Sequence, residues 1–382
     1  MSNLKNKRQE NIKMPNKDYP DFSVKIEKVT ANAYRIPTDR PESDGTFQWD
    51  STTIVVAHCY GGGCRGLGYT YSSSGAAHII NDLLCKSIHG LNVFDTGICW
   101  ETLVSAIRNI GKSGVARMAV AAVTASIWDL KARLLNVPLV TLLGAYRPGI
   151  PIYGSGGFTS YSLDEIAWQL GGWANEGLSM VKMKIGRDLL LDHERIRVAR
   201  EAIGTGVQLF VDANEAYDRK EALAVTDLLT RYNVTWYEQP VDHLDYEGMR
   251  LIRDRAPATL EIASGEYGFD LDNFRRIMDA GAVDVVQGDA TRCGVNTFID
   301  AATLCRANYL PFSAHTAPAL HLHLCCAVPQ ARHLEYFHDH VRIENMIFDG
   351  VQQPRDGILY PDLGRPGFGL ELKEDEAKKY AL

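Results

Sequence analysis

Three common features are absent from this 382-residue sequence: a long apolar run, a paired cysteine motif and a glycine-rich phosphate loop. No stretch approaches the roughly 18 to 20 consecutive apolar residues of a membrane-spanning helix, so we predict no membrane partner. The cysteines form no C-x-x-C motif with a matching second pair, which argues against a zinc site or a disulfide framework. We therefore predict buried free thiols in a reducing cytoplasm. The eight cysteines lie at positions 59, 64, 85, 99, 293, 305, 325 and 326.

An excess of positive charge is also absent. The chain has 40 Lys and Arg residues against 47 Asp and Glu residues, which argues against a nucleic-acid partner. The glycine run at 61–63 is not followed by the lysine and serine of a phosphate loop, and it predicts a hairpin turn instead. The beginning of the chain is polar and lacks the apolar stretch of a secretory signal, so residues 1–22 are predicted to form a loose tail.

The composition that remains is that of an ordinary globular protein, with 46% hydrophobic and 23% charged residues over a length sufficient for two domains. The residues up to 149 predict a small α+β domain, 23–149, with a long amphipathic helix over 116–135. A polar stretch with Pro and Gly, 38–46, predicts a loop between the first two strands. The predicted strands of this domain cover residues 23–36, 52–59 and 66–71.

From residue 150 onward, β-rich runs alternate with amphipathic helical patterns. This alternation predicts parallel strands joined by crossover helices. Eight such repeats within 150–348 predict an α/β fold, a (β/α)8 TIM barrel. An open doubly wound sheet is the alternative, but its phosphate-binding glycine fingerprint is missing. The eight predicted barrel strands cover residues 150–155, 180–185, 208–211, 235–237, 260–263, 283–287, 310–314 and 332–335.

Lys182 and Lys184 lie two residues apart within the second of these strands, so their side chains point to the same face. Each positive charge should lower the pKa of the other, which would make a lysine usable as a base near neutral pH. Two solvated lysines at a sheet edge are the alternative, and the charged residues further along the chain argue against it.

Three carboxylates, Asp212, Glu238 and Glu266, follow at the ends of the next three strands. The C-terminal ends of barrel strands converge on one rim, where barrel enzymes place their active sites. Adjacent carboxylates repel one another, and a hard divalent cation relieves this repulsion. Three oxygen ligands, completed by water and substrate oxygens, suit Mg²⁺. For any one of these carboxylates alone, a helix cap or a surface ion pair is the alternative.

Asp289 and His315, at the ends of strands six and seven, form a second pair. A carboxylate beside an imidazole fixes its tautomer and raises its basicity, as in general acids and bases. A histidine at a strand end can equally be structural, but the lysines elsewhere on the rim favour a catalytic pair.

Together these motifs resemble the enolase superfamily, specifically its mandelate racemase-like group. The resemblance runs from about residue 23 to Leu370. It implies a modified barrel whose first strand–helix repeats depart from the ideal, an N-terminal capping domain, and a C-terminal segment, 349–382, that returns to the cap. It also implies a symmetric homo-oligomer. The matching residues, in order, are Lys182-x-Lys184, Asp212-x-Asn214, Glu238-Gln239-Pro240, Gly265-Glu266, Asp289, His315 and Glu335.

The resemblance implies a magnesium site that binds the substrate carboxylate, with Asp212, Glu238 and Glu266 as ligands. A base then removes the proton from the adjacent carbon, and the resulting enediolate is stabilised electrostatically. On one face of the substrate the base would be Lys184. Lys182 would lower its pKa and contact the carboxylate.

On the other face, the resemblance implies that His315, polarised by Asp289, is the acid or base. Glu335 would hydrogen-bond an oxygen of the intermediate, which requires it to be protonated or to face a donor. Asn214 would support the pocket.

Two such groups permit two reactions, both of which begin with removal of the α-proton. Return of a proton by His315 gives racemisation or epimerisation. Protonation of a β-hydroxyl by His315 gives dehydration to a 2-keto-3-deoxy acid. The resemblance favours dehydration, because this residue set occurs most often in acid-sugar dehydratases. Cycloisomerases of the superfamily usually carry a lysine where this chain has Asp289, and a non-catalytic barrel would be expected to have lost a ligand.

Four further residues are predicted to contact a small-molecule carboxylate substrate. Thr38, Asp44 and Trp49 belong to a polar segment whose hydroxyl and carboxylate groups suit a polyhydroxylated chain. His338 follows strand eight and is predicted to reach a sugar hydroxyl or a distal carboxylate.

Overall fold

The structure, a computed structural model, describes residues 22–382. The tail predicted for residues 1–22 therefore lies outside the described residues, apart from Phe22. Within the described part, no helix combines the length and the apolar character that crossing a bilayer requires. The eight cysteines are all free thiols. Six of them are buried as predicted, whereas Cys64 and Cys85 are only partly covered.

The first domain contains a three-stranded antiparallel sheet in the order β1–β2–β3. Gly62 and Gly63 form the predicted hairpin turn, and both have positive φ, 58° and 73°, a conformation that favours glycine. The strands are β1 (Lys28–Ser43), β2 (Gln48–Gly61) and β3 (Cys64–Tyr71).

The loop predicted over residues 38–46 is wrong for most of its length. β1 continues through Ser43 after an irregularity between Pro37 and Glu42, so residues 44–47 alone connect it to β2. The physical reason is the side chain of Asp44, whose Oδ1 accepts the backbone N–H groups of Thr46 and Phe47 at 2.7 and 2.6 Å and closes a tight turn.

A helical layer covers one face of this sheet, and its main element is the predicted long helix, α4. The contact is close because two glycines of β3 face it. A Cβ on Gly68 would lie 2.2 Å from the carbonyl oxygen of Ala122. The helical elements are α1 (Gly75–Ile79), a π-helical turn (Ile80–Leu84), α2 (Cys85–Ile88), α3 (Thr96–Ala106), α4 (Gly114–Leu134) and α5 (Leu139–Leu143).

All eight predicted barrel strands are present, and the parallel sheet closes on itself where the last strand pairs with the first. The predicted TIM barrel with an α+β cap is therefore confirmed. The strands are β4 (Ile150–Gly156), β5 (Met180–Lys184), β6 (Gln208–Asp212), β7 (Val234–Glu238), β8 (Glu261–Ser264), β9 (Val285–Gly288), β10 (Phe312–Ala314) and β11 (Ala331–Phe337).

The barrel helices alternate with these strands. The first six of them begin at a Ser or Asp whose side chain accepts a backbone N–H group of the first turn. The helices are α6 (Leu163–Asn175), α7 (Leu189–Ile203), α8 (Arg219–Arg231), α9 (Tyr246–Arg255), α10 (Leu271–Asp279), α11 (Ala290–Cys293), α12 (Val295–Ala307), α13 (Pro318–Ala327) and α14 (His338–Ile347).

Aromatic side chains fill the barrel one layer below the strand ends. Tyr153, Phe210 and Trp236 are almost fully buried, and the rings of Phe210 and Trp236 stack with centroids 5.2 Å apart. His333 packs edge-on against Tyr153 at 5.0 Å. Since alternate residues of a strand share a face, this layer leaves the next inward-facing positions, Lys182 among them, at the rim.

The chain beyond the barrel contacts the first domain again. The backbone N–H of Arg35 donates to Tyr380 O at 2.8 Å, and that of Leu382 donates to Ala33 O at 3.0 Å. Both bonds attach the end of the chain to β1. The remaining elements are β12 (Phe348–Asp349), β13 (Ile358–Leu359), β14 (Glu371–Leu372) and α15 (Glu374–Lys378).

Asp129 on α4 generates a first prediction, because its buried carboxylate joins three parts of the chain. It accepts the backbone N–H of Leu67 at 2.8 Å and of Phe368 at 2.6 Å, and it pairs with Arg133 Nε at 2.6 Å. Asp129→Ala leaves these buried donors unpaired, so we expect a loss of about 3–5 kcal/mol in the free energy of unfolding, measured by urea denaturation. Asp227→Ala, at an exposed position of α8, is the control and should change stability by less than about 0.5 kcal/mol. An equal loss in both variants would contradict this reading.

Glu344 on α14 generates a second prediction. It is fully buried and accepts hydrogen bonds from Tyr69 Oη at 2.6 Å and from the N–H of Ala319 at 3.0 Å. Burial raises its pKa from 4.5 to about 8. Between these values the folded chain holds a proton that the unfolded chain has lost, so stability should fall as pH rises from 4.5 to 8, by up to about 1.4 kcal/mol per pH unit. Glu344→Gln, which cannot titrate, should flatten this slope in thermal unfolding. Identical slopes for both proteins would contradict the assignment.

Candidate active site

The predicted ionisable residues converge at the C-terminal ends of the barrel strands. Lys184 on β5, Asp212 on β6 and Glu238 on β7 lie side by side as registered partners of neighbouring strands. Glu266 follows the end of β8 by two residues. The alternation of β5 turns Lys182 to the same face as Lys184, as predicted, and both lysines are buried.

The three carboxylates Asp212, Glu238 and Glu266 form one compact cluster. An oxygen of each lies within 4.8 Å of the others, and all three residues are buried. Oε2 of Glu266 is buried and lies 3.1 Å from Nε2 of His315. An all-oxygen set of three carboxylates fits Mg²⁺, which prefers oxygen ligands and retains positions for water and substrate.

The two lysines extend into this cluster. Nζ of Lys184 lies 2.5 Å from Oδ2 of Asp212, and Nζ of Lys182 lies 2.8 Å from both oxygens of Glu238. Burial is the largest influence on the pKa of Lys184 and lowers it, and Lys182 lowers it further, as predicted. The carboxylates Asp212, Glu335 and Glu238 together outweigh both, so the net pKa lies above its usual value and the predicted net lowering is wrong for this arrangement. The same competition, with Glu238 as the main partner, raises the pKa of Lys182.

His315 and Asp289 form the predicted pair, with Nδ1 of the imidazole 2.9 Å from Oδ2 of Asp289. Asp289 is itself fixed, because its other oxygen accepts the backbone N–H and the hydroxyl of Thr291, each at 2.7 Å. Nε2 of His315 then faces Glu266, 3.1 Å from its Oε2. Burial lowers the pKa of His315, but Glu266 and Asp289 raise it to about 10, so the ring is an imidazolium in this arrangement.

Glu335 lies at the base of the same region and is surrounded by donors. Its Oε1 accepts the hydroxyl of Ser155 at 2.6 Å and lies 2.8 Å from Nζ of Lys182, while Oε2 accepts the N–H of Thr316 at 3.1 Å. Burial raises its pKa, but Lys182 and His315 outweigh burial and keep the pKa below its usual value. Of the two alternatives stated for Glu335, the structure shows the side chain facing donors.

The backbone is strained next to these side chains. Asn214, Gln239 and Thr316 have positive φ angles of 45°, 39° and 49°, and each follows a site residue within two positions. Gly265, which precedes Glu266, has φ 128°, and a Cβ there would lie 2.5 Å from the carbonyl oxygen of Gln287. Non-glycine residues with such angles cluster at functional sites, where the surrounding structure maintains them.

A cavity of about 320 Å³ opens above the rim between barrel and cap. Lys184 and His315 line it from strands that are separated by β4 and β11. Of the predicted substrate contacts, Asp44, Trp49 and Asn214 line this cavity. Other predicted site residues in its wall are Glu266, Asp289 and Glu335.

The remaining predicted residues lie outside the cavity wall. Lys182, Asp212 and Glu238 are fully buried below it. Thr38 lies partly covered in β1, and His338 contacts Asp39, with Nε2 3.1 Å from Oδ2. Neither Thr38 nor His338 lines the cavity in this structure, so their role as substrate contacts stays a prediction.

Several lining residues were not identified from the sequence. Arg292 and Tyr267 lie close along the chain to Asp289 and Glu266, which the sequence did identify. This proximity could have identified them as well. The Arg292 guanidinium lies 4.5 Å from the centroid of the Tyr267 ring, and its Nη1 is 3.4 Å from Oε1 of Glu266. The cavity-lining residues of the cap could not be identified in this way, because in the sequence each of them resembles an ordinary surface residue of a strand. They include Ser51, Thr52, Thr53 and Tyr71.

Comparison with known proteins identifies the family of this chain. Residues 29–144 match the family of mandelate racemase/muconate lactonizing enzyme N-terminal domains, and residues 165–376 match the enolase C-terminal domain-like family. The L-talarate/galactarate dehydratase of Salmonella typhimurium is 30% identical over 368 residues, which cover 92% of this chain and 89% of that protein. Its structure liganded with Mg and L-lyxarohydroxamate has a TM-score of 0.87 at 26% identity and covers 98% of this chain and 97% of the other.

Two further proteins match over nearly the whole chain. A mandelate racemase/muconate lactonizing enzyme-like protein of Rubrobacter xylanophilus has a solved structure with a TM-score of 0.92 at 48% identity, covering 94% of this chain and 99% of that one. The 3,6-anhydro-alpha-L-galactonate cycloisomerase of Streptomyces coelicolor is 28% identical over 370 residues, 94% of this chain and 99% of that protein. The chain therefore belongs to the mandelate racemase/muconate lactonizing enzyme family of the enolase superfamily, as its sequence motifs predicted.

Proposed function

We propose that this protein is a Mg²⁺-dependent dehydratase of an acid sugar, an aldonate or aldarate, and that it forms a 2-keto-3-deoxy acid. The observation that carries this proposal is the placement of Lys184 and His315 in one cavity wall beside three clustered carboxylates. A carboxylate substrate in this cavity has one proton acceptor and one proton donor within reach. Syn or anti elimination of water requires at least these two groups, an acceptor for the α-proton and a donor for the departing hydroxyl.

Asp212, Glu238 and Glu266 would hold the Mg²⁺, which supplies positive charge at the substrate carboxylate and thereby makes the α-proton acidic enough to remove. Lys182 does not line the cavity. It lies below the cavity and fixes Glu238 and Glu335 through contacts of 2.8 Å. It is therefore a positioning residue that adds positive charge beneath the substrate.

Lys184 removes the α-proton. Lys184 lines the cavity, and its Nζ, at the end of a flexible side chain, lies 5.8 Å from the centroid of the Phe337 ring. A base must be deprotonated to act: Asp212 raises the pKa of Lys184, and engaging Asp212 as a metal ligand would weaken this ion pair and lower that pKa. The electron pair of the broken C–H bond moves toward the carboxylate.

His315 completes the elimination. Its Nδ1 is hydrogen-bonded to Asp289, so the proton available for transfer is on Nε2, which lies 3.1 Å from Oε2 of Glu266 in the cavity wall. Nε2 gives this proton to the β-hydroxyl as the C–O bond breaks, and one water is released. The enol that remains loses its hydroxyl proton at C2 and gains a proton at C3, which gives the 2-keto-3-deoxy acid, so atoms and charge balance.

The cap side of the cavity supports a polyhydroxylated substrate. The hydroxyl groups of Ser51, Thr52 and Thr53 line it together with the carboxylate of Asp44. These groups can donate to and accept from sugar hydroxyls, whereas an aromatic substrate would leave them unpaired. The relative from Salmonella is named for acids of this kind, L-talarate and galactarate.

Two alternatives share the first step. A racemase or epimerase would return a proton to the α-carbon from His315 instead of expelling a hydroxyl. The similarity to a cycloisomerase from Streptomyces keeps an intramolecular reaction open as well. Asp289 stands where cycloisomerases of the superfamily usually carry a lysine, but this is a difference at a single residue.

The reaction class is tested by a screen of aldonic and aldaric acids with Mg²⁺, in which 2-keto acid is detected as its semicarbazone. We expect keto acid from at least one acid sugar and none in the presence of excess EDTA. Proton NMR in D₂O on the same library covers the alternatives. Exchange at the α-carbon without keto acid would establish racemisation or epimerisation, and loss of substrate without either would point to cycloisomerisation.

The roles of the two catalytic residues are separable in D₂O. Lys184→Ala should lose both keto-acid formation and α-proton exchange, by about 100- to 10,000-fold, because the base is gone. His315→Asn should lose keto-acid formation to a similar extent but retain α-proton exchange. The controls are Lys220→Ala and His78→Asn at exposed positions, which should keep full activity. If His315→Asn still forms keto acid at the wild-type rate, the assignment of the proton donor is wrong.

A further inference from the structure

Two further groups of metal-ligating side chains lie apart from the active-site carboxylates, and the one between cap and barrel contains a buried carboxylate oxygen without a hydrogen-bond partner among the described residues. We propose that Asp39, Glu42 and His338 bind a transition-metal dication such as Zn²⁺. Each offers one ligand atom, and these atoms lie within 4.8 Å of one another. Asp39 and Glu42 belong to β1 of the cap, and His338 is the first residue of α14 in the barrel.

Glu42 provides an independent observation that a ligand is required. The residue has 0% exposure, yet its Oε1 has no hydrogen-bond partner among the described residues. Its other oxygen accepts a single hydrogen bond, from Nε1 of Trp49 at 2.8 Å. A buried carboxylate oxygen without a donor is costly, and coordination to a cation is one of the few ways to remove that cost.

The charges around Glu42 also require a cation. Asp339 is fully buried nearby and is already paired, since it accepts the hydroxyl of Thr52 at 2.5 Å and Nη2 of Arg342 at 2.6 Å. Arg342 uses the same Nη2 on the carbonyl oxygen of Pro37, also at 2.6 Å. Its Nη2 is thus committed to partners other than Glu42, and Arg342 makes no hydrogen bond to Glu42, while Asp39 adds a third carboxylate to this region.

The donor set indicates which kind of ion this site would take. One imidazole nitrogen and two carboxylate oxygens suit zinc and its transition-metal neighbours, whereas Mg²⁺ prefers oxygen ligands alone. The active-site carboxylates are all-oxygen, so the two sites would differ in selectivity. The side chains of Asp39 and His338 are 36% and 23% exposed, which leaves an open side for water ligands and for entry of the ion.

A metal here would hold the cap onto the barrel beside the active-site cavity. It would join β1 to the residue that directly follows β11, and Glu42 would transmit this restraint to Trp49. Trp49 lines the cavity and packs edge-on against Phe158 at 5.7 Å. The role of the ion is structural, because it would fix the position of the β1–β2 hairpin. The proposal of this metal site does not depend on the proposed function.

The experiment measures Zn²⁺ bound per chain by mass spectrometry of metals after dialysis, in a Glu266→Gln background that disables the active-site cluster. We expect one equivalent in this background and none after adding either His338→Ala or Asp39→Asn. Asp39 and His338 are partly exposed, so these variants should fold, as checked by circular dichroism. The matched control is His78→Ala, at an exposed position elsewhere on the cap, which should keep its equivalent.

Co²⁺ absorption gives a second readout. A Co²⁺ ion with a nitrogen ligand in a site of low coordination number should give visible bands that disappear in His338→Ala. Retention of Zn²⁺ and of the Co²⁺ spectrum in both variants would overturn the proposal, as would absence of Zn²⁺ from the Glu266→Gln protein itself. In that last case Glu42 is a neutral, protonated acid.

Discussion

The concentration of buried charge at the mouth of the barrel is the constraint on which the rest of the structure depends. Six ionisable side chains are removed from water within a few ångströms of one another: two lysines and the carboxyl groups of Asp212, Glu238, Glu266 and Glu335. Burial of each charge alone would cost several kcal/mol, so each needs a partner held at hydrogen-bond distance. The lysines compensate only part of the carboxylate charge, and a divalent cation supplies the remainder.

The fold provides the rigidity that this site requires. Below it, the aromatic layer of Tyr153, Phe210 and Trp236 fills the barrel, so the charged side chains cannot relax downward. Above it, the cap covers the cavity, and the seam between cap and barrel is built from buried polar contacts such as that of Tyr69 with Glu344. The strained residues at the strand ends are tolerated because both layers hold them in place.

The sequence predicted the parts of this site that arise from local patterns. Strand boundaries follow from runs of apolar residues, and the face shared by Lys182 and Lys184 follows from the two-residue repeat of a strand. The regular recurrence of Asp212, Glu238 and Glu266 at strand ends predicted the metal cluster, because a closed parallel barrel brings those ends together. Membership of the family followed from the order of these motifs.

Other parts could not be predicted because they depend on contacts between distant segments. Lys182 lowers the pKa of Lys184, as predicted, but carboxylates on other strands, Asp212 first among them, raise it, and the net shift is upward. Thr52 and Tyr71 reach the cavity only because the cap is placed over the barrel. The extension of β1 through Ser43 depends on a turn closed by the side chain of Asp44, which composition alone does not distinguish from a loop.

The most direct test of this account is isothermal titration of the protein with Mg²⁺, since binding by the three carboxylates is the feature that explains their shared burial. The wild-type chain should bind one Mg²⁺, and Glu266→Gln should abolish the binding heat. Glu261→Gln, at the opposite end of the same strand, should bind as the wild type does. Unchanged Mg²⁺ binding by the Glu266→Gln protein would contradict the account, because the charge in the barrel mouth would then be balanced in some other way.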